Sequence, residues 1–145
     1  MDRIHDILAE KGRYLMTISP WATVHTAAIL MNDHKIGSLL ILEEGRLIGI
    51  LTERDILEKV VAEQRIPSSI RVKDVMTRDV LCCGPDTPLE EARSVMKNRR
   101  VRHLPVLDEA GIVIGVVSIG DLNAFQVMHQ ETTIYLLQEY IQGHA

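Results

Sequence analysis

A chain of 145 residues with 46% apolar content holds one compact domain or two very small ones, with enough apolar side chains for a real core. Aromatics at 3% leave that core to Ile, Val, Leu, Met and Ala, and 25% charged residues give an ordinary surface. A net charge of −4 argues against broad nucleic-acid binding, which rests on clustered Lys and Arg, and the longest uncharged apolar stretch, Gly111 to Gly120, is far too short for a membrane span.

Ile4 to Leu8 is a short amphipathic helix within MDRIHDILAEKG, which alternates charge with apolar residues and lacks a signal-peptide core. A soluble, cytoplasmic protein is therefore expected. A short strand from Leu15 to Ile18 runs into Pro20, and a helix follows from about Thr23 to Asp33. The apolar runs Ser38 to Leu42 and Leu47 to Leu51, split by a Gly-containing turn, are buried strands. A helix starts near Glu53. The polar stretch Ala62 to Ser69 (AEQRIPSS) is a link. The order then recurs: a strand from Val80 to Cys83, a helix from about Pro88 to Asn98, runs Leu104 to Leu107 and Ile112 to Val117, and a helix near Gly120. Thr87 is the expected N-cap of the second long helix, with Glu90 completing a capping box. Leu89, Ala92, Val95 and Met96 recur there at helical spacing. From Asn123 to Ile141 a last helix carries the stripe Phe125, Met128, Leu136, Leu137, Tyr140 and Ile141.

The chain thus contains itself twice. Pro20 matches Pro85, Val24 matches Leu89, Ala27 matches Ala92 and Met31 matches Met96, each 65 apart. One extra residue near Ala110 shifts the offset to 66, after which Gly49 matches Gly115, Thr52 matches Ser118 and Asp55 matches Asp121. Each copy is β-α-β-β-α and about 60 residues, marginal alone. Two copies packed face to face, with pseudo-two-fold symmetry, leave two equivalent clefts between them.

The chemistry concentrates in Gly49-Ile50-Leu51-Thr52-Glu53-Arg54-Asp55 and its echo Gly115-Val116-Val117-Ser118-Ile119-Gly120-Asp121. Each places a hydroxyl where strand becomes helix, as an N-cap. Free backbone N–H groups there favour phosphate. One turn on, an Asp can accept hydrogen bonds from both hydroxyls of a ribose. The bland reading is a helix cap with a favourable first-turn charge; two copies at matched positions favour a ligand.

These marks, with Lys73-Asp74-Val75-Met76-Thr77 and Arg102-His103-Leu104-Pro105-Val106, make the chain resemble tandem CBS domains, named for cystathionine beta-synthase and paired as a Bateman module. The resemblance runs from about Tyr14 to Phe125. It implies an α/β (α+β) fold: a first CBS domain at 8–61, a linker at 62–72, a second domain at 73–125 and a C-terminal helix at 126–145. It implies a standalone regulatory module, not an enzyme, with clefts for AMP, ADP, ATP, or less often NAD or S-adenosylmethionine. The Asp of one copy would work with the middle strand of the other. The first site would use Thr52 and Asp55 for the ribose and its phosphate side, Arg102 and His103 from across for the phosphate, and Thr77 near the adenine, with Arg54 also a ligand-binding residue. The second would use Ser118 and Asp121, with Gly37 and Ser38 opposite. No cofactor, metal or membrane is implied. The partners expected are an adenine nucleotide, a second copy in a homodimer and an unidentified effector protein.

The copies differ where charge matters. Arg102 and His103 are matched by Gly37 and Ser38, and Arg54 by Gly120. Since charge-assisted bonds to phosphate are strong, the first site should prefer a phosphorylated ligand, while the second is expected to take a less charged adenine compound, to bind weakly or to stay empty. Arg99 and Arg100 read as a solvated face. Cys82 and Cys83 are too few and too close for a disulfide framework and read as structural, one of them buried. His5, His25, His34 and His129 show no metal spacing. Trp21 is expected at a domain edge, and Met76 and Met96 in the core. The competing function is a dimerisation or docking protein whose clefts have lost ligand.

Overall fold

Short apolar runs separated by turns give each half of the chain its own small core. The computed structural model describes residues 2–12 and 15–129. In chain order, helix α1 (Ile4–Lys11) precedes strand β1 (Thr17–Ile18), helix α2 (Val24–His34), strands β2 (Ser38–Glu43) and β3 (Arg46–Thr52), and helix α3 (Glu53–Ile56). The last runs on into a wide π-helical turn, Leu57–Val61. A 3₁₀ turn (Pro67–Ser69) and the one-turn helix α4 (Val72–Val75) lead to α5 (Leu89–Arg99), β4 (His103–Leu107) and β5 (Val113–Ser118). A last helix, α6, occupies 119–129. This is the expected mixed α/β architecture of two repeats with small sheets.

The first sheet has order β1-β2-β3, β1 parallel and β3 antiparallel to β2. Its hairpin turns at Glu44 and Gly45, both at positive φ (52° and 77°), as a two-residue turn matched to strand twist requires. Among the described residues the second sheet has only β4 and β5. The strand expected at Val80–Cys83 is reduced to one parallel bridge, Cys83 to Val106. Pro105 explains the loss. In the first copy Leu40 N donates to Met16 O at 3.0 Å. Its counterpart Pro105 has no N–H, so that rung cannot form. The capping box expected at Thr87 is also absent. Pro88 occupies the N-cap position without a side-chain bond, and Thr87 Oγ1 accepts from Gly84 N instead.

One core gathers Val24, Ala27, Met31, Leu39, Ile41 and Leu51; the other gathers Ala92, Met96, Leu104, Val106 and Val117. Each is closed by a segment lying beyond the repeat that it serves. Ile70, Val72, Val75 and Met76, which precede the second copy in the chain, are buried in the first core. Ile4, Ile7 and Leu8, which precede the first copy, are buried in the second. The two lead-in segments dock by the same bonds. Val72 N donates to Ala22 O and Lys73 N to Pro20 O, while Ile4 N donates to Thr87 O and His5 N to Pro85 O. The stretch expected as a linker, 62–72, therefore ends in core residues. Burying Ile4, Ile7 and Leu8 contributes about 1.5–3 kcal/mol each, enough to hold α1 firmly on the second copy.

The exchange explains the motif glycines. A Cβ on Gly49 would lie 2.6 Å from Met76 Sδ, and one on Gly115 would lie 2.7 Å from Leu8 Cδ2. Both glycines admit a lead-in side chain at the sheet surface. Phe125, expected on an apolar stripe left over from the core, instead closes the second core at 5% exposure. Met128 on the same helix is exposed. The remaining stripe positions, Leu136, Leu137, Tyr140 and Ile141, lie outside the described residues. Met76 and Met96 are buried as expected. Neither cysteine is fully buried: Cys82 is exposed and Cys83 half-buried, its thiol pushed up to about 12 by burial. Trp21 is exposed at an edge, with Lys73 Nζ 4.6 Å above its ring.

Candidate functional site

Two clefts open between the copies, and every candidate ligand-binding residue lines one of them. The first, of about 260 Å³, brings together Thr52, Arg54, Asp55 and Thr77 with Arg102 and His103 from β4 and the turn before it. Ile50, Val80, Leu81 and Val101 give it apolar walls. The second, of about 230 Å³, brings together Gly37 and Ser38 with Ser118 and Asp121. The expected cross-copy pairing of each Asp with the other copy's middle strand is thus present in the geometry.

The hydroxyl and the Asp cap each other in both copies. Thr52 Oγ1 accepts from Asp55 N at 3.2 Å, and Asp55 Oδ2 accepts from Thr52 N at 2.9 Å. Ser118 Oγ accepts from Asp121 N at 3.0 Å, and Asp121 Oδ2 accepts from Ser118 N at 2.8 Å. This reciprocal box fixes each carboxylate at the floor of its cleft. The spacing of the motif is set by this geometry: the Asp must stand one turn beyond the hydroxyl to reach back.

The two carboxylates differ in what else they hold. Asp55 is buried at 6% exposure. It also accepts from Thr52 Oγ1 at 3.1 Å, from Thr77 Oγ1 at 2.9 Å and from Lys59 Nζ at 2.9 Å. Four donors fill the roughly four acceptor positions of a carboxylate. Thr77 is further fixed by paired backbone bonds with Ile50. Asp121 is more open, and Lys11 Nζ reaches it at 2.6 Å while also donating to Val116 O at 2.7 Å.

Several lining residues were not evident beforehand. Lys59 stands four residues beyond Asp55, a spacing readable as an i,i+4 ion pair. Lys11 comes from α1, 110 residues before Asp121, and no local pattern could have pointed to it. Arg100, expected on a solvated face, lines the first cleft, and its counterpart Lys35 lines the second. The second cleft is therefore not poor in cations, contrary to the expectation drawn from Gly37 and Ser38. Arg54 lines the first cleft but is exposed and pairs with Glu58 at 3.3 Å, a contact of small energetic weight.

His103 lines both clefts. Burial lowers its pKa, against the pull of nearby Glu53 and with the push of Arg102. A Cβ on Gly37 would lie 3.2 Å from His103 Nε2 and 3.1 Å from Glu53 Oε1. Gly37 thus leaves room for both side chains where the clefts approach each other. No group of three or more His, Cys, Asp or Glu among the described residues could hold a metal. No helix among them is long and apolar enough to cross a membrane.

The CBS domain pattern matches residues 12–62 and again 72–127. The chain is 34% identical to the mitochondrial CBS domain-containing protein CBSX3 of Arabidopsis thaliana, over 97% of this chain and 72% of that protein. That name gives the cytoplasmic expectation no support. A putative signal-transduction protein with CBS domains from Burkholderia ambifaria superposes with a TM-score of 0.85 at 36% identity, covering 89% of this chain and 96% of that one. The CBS domain pair of MJ0100, solved with 5′-methylthioadenosine and S-adenosyl-L-methionine, superposes with a TM-score of 0.76 at 27% identity, covering 86% of this chain and 98% of that one. With two matches in tandem over most of its length, the chain belongs to the CBS domain family.

Proposed function

We propose that this CBS pair binds an adenine nucleotide, AMP foremost, in the clefts between its copies and passes the occupancy to an effector protein without catalysing a reaction. The observation that carries the reading is the first cleft. A buried, hydroxyl-capped carboxylate, Asp55, faces Arg102 and His103 of the other copy across apolar walls. A ribose diol, a phosphate and a flat base need those three surfaces. The adenosine compounds bound by the MJ0100 pair support the same ligand class.

The saturation of Asp55 favours a second reading, in which the cap is purely structural and the protein serves as a dimerisation or docking module. Under the ligand reading, Thr77 or Lys59 must give way to the ribose, and where Lys59 yields, its contact with Val75 O at the end of α4 is disturbed as well. That gives occupancy a mechanical consequence between the copies.

A thermal-shift panel with AMP, ADP, ATP, NAD and S-adenosylmethionine separates the readings. A specific ligand at 100 times its Kd adds about 2.7 kcal/mol of stability. Asp55→Ala should remove most of the response to AMP in the first cleft, with calorimetry as the direct measure. A folded wild-type chain that responds to none of the five ligands would leave the docking reading.

A further inference from the structure

We propose that Lys11 is a ligand-binding residue of the second cleft: α1 supplies there an ammonium that fits the cleft to a phosphorylated nucleotide. This rests on the nucleotide reading above and changes the expected ligand of the second cleft from a weakly charged one to an anion.

The first observation is a substitution of donors. In the first cleft, Thr77 N donates to Ile50 O at 2.9 Å and Thr77 Oγ1 donates to Asp55 Oδ1 at 2.9 Å. In the second, Lys11 Nζ meets the matched carbonyl, Val116 O, at 2.7 Å and the matched carboxylate at its capping oxygen, Asp121 Oδ2, at 2.6 Å. A neutral N–H and a hydroxyl in one cleft are replaced by a single charged group in the other. An ammonium has three donors. Among the described residues two are engaged, which leaves one for a ligand oxygen.

The second observation concerns the helix after the motif. Lys59, four residues beyond Asp55, brings the ammonium of the first cleft to that carboxylate. Four residues beyond Asp121 stands Phe125, buried in the second core. The helix α6 therefore offers no cation at that point, and α1 brings one from the far end of the chain.

The third observation is that Lys11 is held in place. It is the last residue of α1, and the chain leaves at Gly12 with φ 91°. Ile4, Ile7 and Leu8 anchor the helix, with Leu8 seated on Gly115. That apolar anchoring far outweighs one partly exposed ion pair. A ligand can thus draw the ammonium off Asp121 while the helix stays seated. Lys35 stands across the same cleft, so a phosphate there meets two ammonium groups and one carboxylate.

The test is calorimetry on the full chain with AMP and adenosine, the second cleft being identified by the heat that Asp121→Asn removes. Lys11→Met keeps the apolar stem and removes the charge. It should weaken AMP at that cleft by about 10-fold or more, the scale of a lost charge-assisted hydrogen bond, and adenosine by less than about 2-fold. Lys11→Arg should restore most of the AMP affinity. Lys11→Gln, which keeps hydrogen bonding without charge, should behave as Lys11→Met and covers the case in which that variant folds poorly. Unchanged AMP binding, equal loss for both ligands, or tighter binding of both would each overturn the proposal. If the wild-type chain binds neither AMP nor adenosine, the nucleotide reading fails first and this proposal with it.

Discussion

Lys35 and Arg100 close α2 and α5 in the left-handed conformation, with φ of 53° and 54°. Glycine is the ordinary residue for that position, and a side chain there costs about 1–2 kcal/mol. Both copies nevertheless place a long cation at it, and each cation lines a cleft. Cap and ligand contact can be separated. Arg100→Gly should raise stability by about 0.5–1 kcal/mol, the relief of strain less the added freedom of the unfolded chain. The same change should weaken AMP binding several-fold by removing a cation from the mouth of the first cleft. Chemical denaturation and calorimetry on one variant read both effects. A gain in stability with unchanged affinity would return Arg100 to the solvated face on which the sequence alone had placed it. At this scale the chain was legible where function and local structure coincide. Thr52, Asp55, Ser118 and Asp121 announce themselves because a cap has a fixed spacing. Arg100 does not, because its role depends on a backbone conformation that no neighbouring residue signals.

At the scale of elements, the motif glycines tie each sheet to a lead-in segment from elsewhere in the chain. Gly115 lies against Leu8 of α1 and Gly49 against Met76. Gly115→Ala should destabilise the protein by about 1–3 kcal/mol, the usual cost of overpacking, because the branched end of Leu8 would have to move within a closed core. Gly49→Ala should cost a similar amount. Met76 is flexible, but the added Cβ would also lie 3.1 Å from Thr77 O, a carbonyl fixed by the bridge to Ile50. Denaturant titration of both variants checks this. Hydrogen exchange adds a finer reading, since Gly115→Ala should expose the amides of α1 and Gly49→Ala should not. The repeat made the strands and helices legible, because buried runs of Ile, Leu and Val bounded by turns leave few alternatives. The exchange of lead-in segments was not legible. Ile4, Ile7 and Leu8 have an amphipathic pattern that states how much surface they bury but not against which copy. The loss of the strand at Val80–Cys83 was carried by Pro105, whose missing N–H lies on the partner strand.

The whole molecule leaves apolar side chains on the helices that follow both motifs. Leu57 and Val61 on the turn after α3 are 61% and 60% exposed, and Val127 and Met128 on α6 are 56% and 57% exposed. These positions follow Asp55 and Asp121; Val61 and Val127 are matched at the offset of 66, whereas Leu57 and Met128 are matched by Asn123 and Ala62. Single exposed apolar residues are ordinary, but two exposed apolar side chains close together on the helix after each motif mark a surface that meets a partner. A second copy of the chain is the partner that presents the same patches in return, and a two-fold axis is the commonest way to close such a contact. We therefore expect a C2 homodimer, with light scattering at micromolar concentration giving twice the chain mass of 16.3 kDa. Leu57→Glu combined with Val61→Glu should shift the protein toward the monomer without changing its melting midpoint by more than a few degrees, because neither side chain belongs to a core. A wild-type monomer at that concentration would remove the interface. A dimer untouched by the double substitution would move it to α6, where Val127→Glu with Met128→Glu is the matching variant. In the first copy the cleft and the patch lie on opposite faces of the same short helical stretch, since Asp55 and Lys59 line the first cleft while Leu57 and Val61 are exposed. A nucleotide that displaces Lys59 from Asp55 would act on the turn that carries Leu57 and Val61, so AMP should alter the dimer dissociation constant as well as the melting temperature.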